Sequence, residues 1–387
     1  MRTITTTEEL AAFCEAAKSQ PYVTIDTEFL RERTYWSKLC LIQMALPGKT
    51  GEAVLVDPIE GGEALSMEPL YDLFRHEATV KVFHAARQDL EIFFVEGNCF
   101  PVPLFDTQIA AMVCGYGEQV GYETLVKKIA KESLDKTSRF TDWSRRPLSD
   151  AQKEYALADV THLRVVYESL DAQIRKSGRE HWVQQELAIL TDPETYTIRP
   201  QDAWERVKTR TTSGRFLALV KALAQFREEY AQKNNVPRSR VMKDDALLEI
   251  ASTRPTNHEE LGRSRLLLRE GRRGDIADGI IAAVKAGLEM KPEDMPKPDL
   301  SREQLQVNPA LADLLRVLLK AKSESLGVAA KLIASAAELD AIAAGERDLP
   351  ALKGWRNEAF GEDALRLCRG EIALSAKGND VRVVRLA

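Results

Sequence analysis

The strongest constraint on the fold is where strand-like runs occur. Short apolar, β-branched stretches lie at 22–26 (YVTID), 39–46 (LCLIQMAL), 53–56 (AVLV) and 81–84 (KVFH), all in the first quarter of a 387-residue chain. Helical patterns occupy Glu68–Arg75, Gln88–Glu96, Thr107–Gly115 and a long stretch from about Ser149 to Lys176. Ser149 with Gln152 three residues on has the spacing of a capping box, which marks the start of that long helix. Strands that come early, mixed with and followed by helices, predict an α/β domain around one central mixed sheet. Beyond the break at Asp192–Pro200 the pattern is helical: Phe216, Leu219, Val220, Leu223 and Phe226 keep the spacing, as do Leu311, Leu314, Leu315 and Leu318. The segment Lys291–Ser301, rich in proline and charge, reads as a linker between two stretches of similar length. Similar length suggests a duplicated module, although no fixed-period repeat is visible. The closing VRVVRL reads as a short strand or a tail. The expected domains are 1–190, 200–290 and 300–387.

Composition narrows the setting. Cysteines at 14, 40, 99, 114 and 368 form no CxxC pair, which argues against a disulfide framework or zinc ribbon and fits a reducing cytoplasm. No apolar run approaches the roughly 20 residues of a membrane span, and MRTITTTEELAAF lacks the pattern of a secretory signal. The net charge of -5 speaks weakly against a nucleic-acid partner, but it averages two unlike regions. Residues 1–190 carry 21 basic and 29 acidic side chains, whereas 199–273 carry 17 against 10.

Three acidic segments carry chemistry. Asp26 and Glu28 end the first apolar run two residues apart, so strand geometry puts both on one sheet face. Like charges that close repel, and a divalent cation is the usual remedy. Asp89 falls where the fourth run passes into a helix, and Tyr155 and Asp159 share one face of the long helix at a spacing of four. Four carboxylates suit Mg²⁺ or Mn²⁺ and could form a two-metal phosphodiester site.

In order and in wording, VTIDTEF, FHAARQDL and YALADV resemble the three motifs of the DEDD exonucleases, and the tyrosine four residues before the last aspartate resembles the DEDDy branch. The stretch Thr141–Leu163, with LCLIQMA at 39–45 and FDTQIAA at 105–111, is similar to the ribonuclease D family within it. Phe226–Ala251 resembles an HRDC domain, and LKGWRNEAFGEDAL in the last stretch looks like part of a more diverged second copy. The resemblance implies a ribonuclease H-like α/β exonuclease domain with a central mixed sheet, followed by two all-α HRDC domains.

It also implies roles. Asp26, Glu28, Asp89 and Asp159 match the metal-binding carboxylates, and Tyr155 the tyrosine that positions the attacking water. The implied activity is metal-dependent 3′→5′ exoribonuclease action on tRNA precursors, releasing nucleoside 5′-monophosphates, by a cytoplasmic monomer with two Mg²⁺ or Mn²⁺ ions. Arg238, Arg240, Lys243, Arg263 and Arg265 in the basic stretch are candidates for RNA contact. No aromatic residues interleave with them, so base stacking is not expected there. Arg145 and Arg146 are candidates for phosphate contact, Arg87 and Gln88 for the cleft wall, Trp143 for packing, and His84 for a backbone-bonded histidine. A DNA 3′→5′ exonuclease and a non-catalytic RNA-binding scaffold are the alternative readings.

Overall fold

The computed structural model describes residues 1–135, 141–209, 211, 213–297 and 306–386. Six strands form one sheet: β1 Arg2–Ile4, β2 Tyr22–Leu30, β3 Lys38–Ala45, β4 Ala53–Val56, β5 Val80–Phe83 and β6 Leu104–Asp106. Their order is β1-β4-β3-β2-β5-β6. β3 and β4 pair antiparallel, while β1–β4, β2–β5 and β5–β6 are parallel, so the sheet is mixed. The inner strands are covered on both faces, which is why LCLIQMA is almost continuously buried instead of alternating. The two strands without a sequence signal, β1 and β6, are edges of three residues each, too short to show a period. β2 runs four residues beyond the expected YVTID, to Leu30.

The capping box expected at Ser149 is present and opens the helix Asp150–Ser177. The closing residues are strand rather than tail: β8 Asp380–Arg385 pairs antiparallel with β7 Ile372–Lys377. Within the linker read at 291–301, Pro292–Asp294 is a 3₁₀ turn, and residues 298–301 lie outside the described residues.

Contacts group the chain differently from its linear order. One compact unit contains residues 1–28, 39–195 and the described residues from 306 on; the other contains 29–38 and the described residues of 196–297. The described residues from 306 on therefore pack into the unit that holds the sheet. Conversely, residues 29–38, from the last residues of β2 to the first of β3, group by their contacts with the helical unit.

The two helical stretches share an order of elements. The first has a long helix Gly214–Asn234 closed by left-handed Asn235, a four-residue helix Arg238–Val241, a helix Asp244–Thr253, a 3₁₀ turn Glu270–Arg272, and a helix from Gly274 to Glu289. The second has Pro309–Leu326 closed by left-handed Gly327, Ala330–Ile333, Ala336–Ala343, a 3₁₀ turn Pro350–Leu352, and helical turns from Gly354 to Cys368. The first stretch has one more helix, His258–Gly262, before its 3₁₀ turn. That extra helix gives the two stretches different spacings between otherwise corresponding elements.

Candidate active site

Tyr22, Thr24, Asp26 and Glu28 alternate onto one face of β2, and hydrogen bonds fix the helix Asp150–Ser177 against it. The Tyr22 hydroxyl donates to Glu168 at 2.5 Å, and the Thr24 hydroxyl donates to the Val160 carbonyl at 2.8 Å. This register brings Asp159, next to Val160, to Asp26. One carboxylate oxygen each from Asp26, Glu28 and Asp159 lies within 4.8 Å of the other two. Tyr155, one turn earlier, lines the same cavity as Asp26 and Asp159.

Asp89 sits in the first turn of the helix Arg87–Gly97, is buried, and accepts a hydrogen bond from the Thr27 hydroxyl. The turn that delivers it is held by Asp106, which accepts from the backbone N–H of Ala85 at 3.1 Å and Ala86 at 2.8 Å. Ala85 adopts a left-handed φ of 57° there. Asp106 also caps the helix Thr107–Val113. An aspartate just before a helical pattern is a recognisable cap signal, but its second duty to the β5 turn requires the fold.

The cluster is electrostatically expensive. Burial, followed by the charges of Asp159, Asp89 and Glu28, holds the Asp26 carboxyl well above the usual range. Burial pushes Asp89 up to about 7 against the opposing bond from Thr27. This group of clustered carboxylates, all offering hard oxygen donors, fits a divalent ion such as Mg²⁺ or Mn²⁺.

The cavity, about 270 Å³, is completed by residues the sequence reading did not single out, Gly121 to Thr124. The Tyr122 hydroxyl donates to the Asp159 carbonyl and so ties this segment to the catalytic helix. His84 also lines the cavity. Its Nδ1 is 2.9 Å from the Thr107 hydroxyl, which itself donates to the Phe83 carbonyl at 3.0 Å. Thr107 must therefore accept from Nδ1–H, leaving Nε2 as the acceptor. Burial lowers the His84 pKa, against Asp106, so the ring is neutral at pH 7.

Other expected contacts have different occupations. Arg146 is bound bidentately by Asp57 at 2.5 and 2.6 Å and donates to the Cys40 and Trp143 carbonyls, so it anchors a loop instead of meeting phosphate. That loop carries buried Trp143, whose ring packs 6.1 Å from Tyr155. Arg145 lies beside Asp142 and is well exposed. Arg87 and Gln88 are exposed and, among the described residues, are not part of the cavity wall. In the helical unit, Arg238 bonds both oxygens of buried Glu228, at 2.5 and 2.6 Å, and lies 4.8 Å over the Tyr35 ring. That internal role corrects the reading of Arg238 as a phosphate contact. Arg240, Lys243, Arg263 and Arg265 are exposed; Arg263 pairs with Glu259 at 2.7 Å.

Comparison with known proteins agrees with this geometry. The sequence model of a 3'-5' exonuclease family matches residues 1–175, and that of the HRDC domain matches 216–284. The chain is 61% identical over 385 residues to the ribonuclease D of Jannaschia sp. (strain CCS1), covering 99% of each chain. It is 48% identical over 387 residues to that of Nitrobacter hamburgensis, covering 100% of both. The crystal structure of Escherichia coli RNase D, described as an exoribonuclease involved in structured RNA processing, superposes with a TM-score of 0.82 at 28% identity, covering 95% of this chain and 98% of that one.

Proposed function

The chain belongs to the ribonuclease D family and is a 3′→5′ exoribonuclease; from this premise we propose that it trims the 3′ ends of tRNA precursors, releasing nucleoside 5′-monophosphates. In this reading Asp26, Glu28, Asp89 and Asp159 hold two divalent ions, Mg²⁺ or Mn²⁺, and Tyr155 orients the attacking water. The observation that carries it is the convergence of Asp26, Glu28 and Asp159 within 4.8 Å, in a cavity that Tyr155 also lines. When bound, such ions neutralise phosphate charge and lower the pKa of water. The protein's own groups do the rest. Tyr155 acts by hydrogen bonding through its hydroxyl, and the Trp143 ring packs beside it. Tyr122 holds the backbone of Asp159. Neutral His84 offers Nε2 to a donor, and the ribose hydroxyls of a terminal nucleotide are donors of that kind.

The family's hydrolytic activity sets the scaffold reading aside. A DNA 3′ end would lack the 2′-hydroxyl, so competition between matched RNA and DNA ends tests the remaining alternative. We read the stretch 300–387 as a second HRDC-like module; the shared element order supports this, with the helix His258–Gly262 as the one added element of the first stretch among the described residues. No helix among the described residues is long and apolar enough to cross a membrane, which is compatible with a cytoplasmic monomer.

A 3′-extended tRNA precursor and a 3′-phosphorylated control, each with Mg²⁺ or Mn²⁺, test the proposal. Asp26→Ala and Asp159→Ala should each reduce nucleotide release on the order of 10³-fold. Undiminished release by either variant would reject the assignment.

A further inference from the structure

We propose that the first helical module carries a pocket for one unpaired nucleotide of the RNA substrate, with the base seated between Tyr230 and an apolar floor and its phosphate held by Arg33 and Arg240. The inference rests on the reading of RNA as substrate and adds a site remote in sequence from the catalytic motifs. A cavity of about 270 Å³ lies wholly within the unit formed by 29–38 and 196–297. It falls just below the roughly 300–1,000 Å³ of drug-sized sites, a size that suits one nucleotide. Val236, Val241 and Ile276 supply an apolar floor, and Tyr230 an aromatic wall. The Tyr230 ring is backed by Phe226, with centroids 5.9 Å apart. Every base has an apolar π face that such a surface accepts.

The polar rim is unspent. Among the described residues, no side-chain hydrogen bond or ion pair engages Arg33, Arg240 or Glu270, although Arg227, Arg238 and Arg263 in the same unit all have carboxylate partners. Asn234 uses its amide nitrogen on the Tyr230 carbonyl at 2.9 Å, leaving Oδ1 as an acceptor. Two acceptors, Asn234 Oδ1 and the Glu270 carboxylate, match a base that presents an exocyclic amine. Adenine, cytosine and guanine have one; uracil does not.

Arg33 reaches this rim because its loop is tied to the module. Asn235 Oδ1 accepts from the backbone N–H of both Tyr35 and Trp36, at 3.0 Å each. The Tyr35 hydroxyl bonds Glu228 and also accepts from Arg238 at 2.9 Å and Gln232 at 3.1 Å. Sequence reading found no aromatic residues interleaved with the basic ones. Folding supplies Tyr230 from the preceding helix and an arginine from about two hundred residues upstream.

The test uses the full chain in EDTA with a hairpin RNA whose single-stranded 3′ tail carries 2-aminopurine and ends in a 3′-phosphate. Wild type should bind with a saturable change in 2-aminopurine fluorescence. Arg33→Ala/Arg240→Ala should weaken binding about tenfold and lower the slope of log K against log salt by about 1.4, the value for two single-strand phosphate contacts. Tyr230→Leu, which keeps apolar bulk, should abolish the fluorescence change, and an all-uridine tail should bind several-fold more weakly than a cytidine tail. Lys285→Ala, which removes a charge from the same unit outside the pocket, should leave the fluorescence change intact. Wild-type affinity and slope in the double variant would overturn the pocket. If wild type released no nucleotide from any RNA 3′ end with Mn²⁺, the parent reading would fall instead, so the two failures are distinguishable.

Discussion

The two helical stretches have the same element order and opposite relations to their surroundings. Each places a glycine with left-handed φ after its 3₁₀ turn, Gly274 at 59° and Gly354 at 52°. The next residue is exposed Asp275 in one and fully buried Trp355 in the other. The Trp355 ring stacks on Trp182 at 4.7 Å, its indole N–H donates to Glu186 at 2.7 Å, and Arg356 binds the same carboxylate at 2.7 and 2.8 Å. Gly354 cannot be replaced cheaply, because its φ of 52° lies in the left-handed region that residues with a Cβ rarely adopt. The second stretch has thus spent a face on the exonuclease unit, whereas the first keeps unpartnered arginines and a cavity. A shared order of elements does not imply a shared role; what distinguishes the two stretches is whether their polar groups are already satisfied.

The sharpest way to break this contrast is Trp355→Ala against Asp275→Ala. Removing Trp355 empties a packed site and leaves Glu186 short of a donor, so a loss of about 3–5 kcal/mol is expected. Asp275→Ala should stay within about 0.5 kcal/mol. Urea unfolding of the full chain measures both, and equal losses would mean that the two faces are equivalent.

The two units should also answer pH with opposite signs. Asp26 and Asp89 have folded pKa values above their unfolded ones, so in the absence of metal the folded state retains protons that the unfolded chain releases. The first unit should therefore lose stability as pH rises from about 4 to about 7, on the order of a few kcal/mol. Asp89→Asn should flatten that dependence, and Mn²⁺ should reverse it. In the second unit Glu228 is held low: burial opposes this, but the bonds from Arg238 and Tyr35 outweigh it. Its contribution is present above the ordinary glutamate pKa and is lost as pH falls below it. Thermal melts in EDTA at pH 4, 5.5 and 7 would expose the divergence; parallel shifts in both transitions would contradict it.

A smaller effect is expected for Tyr35→Phe. The hydroxyl serves Glu228, Arg238 and Gln232, so its loss should cost about 1–2 kcal/mol in the second unit. The same variant should weaken binding of the 2-aminopurine RNA, because Tyr35 fixes the loop that carries Arg33. A destabilised second unit with unaltered RNA binding would separate the tie from the pocket.

How much of this was legible depended on whether the signal was local. Asp26 and Glu28 could be placed on one face because strand alternation is a two-residue rule, and Tyr155 with Asp159 because a helix repeats over four. Asp89 was found from its motif, but its burial against Thr27 depends on two elements packing. Nothing local marks Arg146 as the partner of Asp57, 89 positions away, or sends Arg33 to a helix beyond residue 230. Edge strands of three residues fall below any periodic signal, and the helix His258–Gly262, present in the first helical stretch alone among the described residues, gives the two stretches different spacings. Net charge gave the sign of the basic stretch, but not which arginines already had partners.

The smallest effects belong to exposed arginines, where the contrast between the two stretches becomes a matter of position. Arg263 in the first stretch pairs with Glu259 at 2.7 Å, and Arg316 in the second with Asp313 at 2.6 Å and with Asp340. Surface pairs of this kind contribute roughly 0–1 kcal/mol, so alanine at either site should barely move the melt. RNA binding separates them. Arg263→Ala should lower the salt slope by about 0.7, one phosphate contact, because its ion pair is solvated and readily exchanged for a phosphate. Arg316→Ala should leave the slope unchanged, since two aspartates already neutralise that guanidinium. Equal changes in slope would place RNA on both stretches, and the difference in buried face at Trp355 would then be one of stability alone.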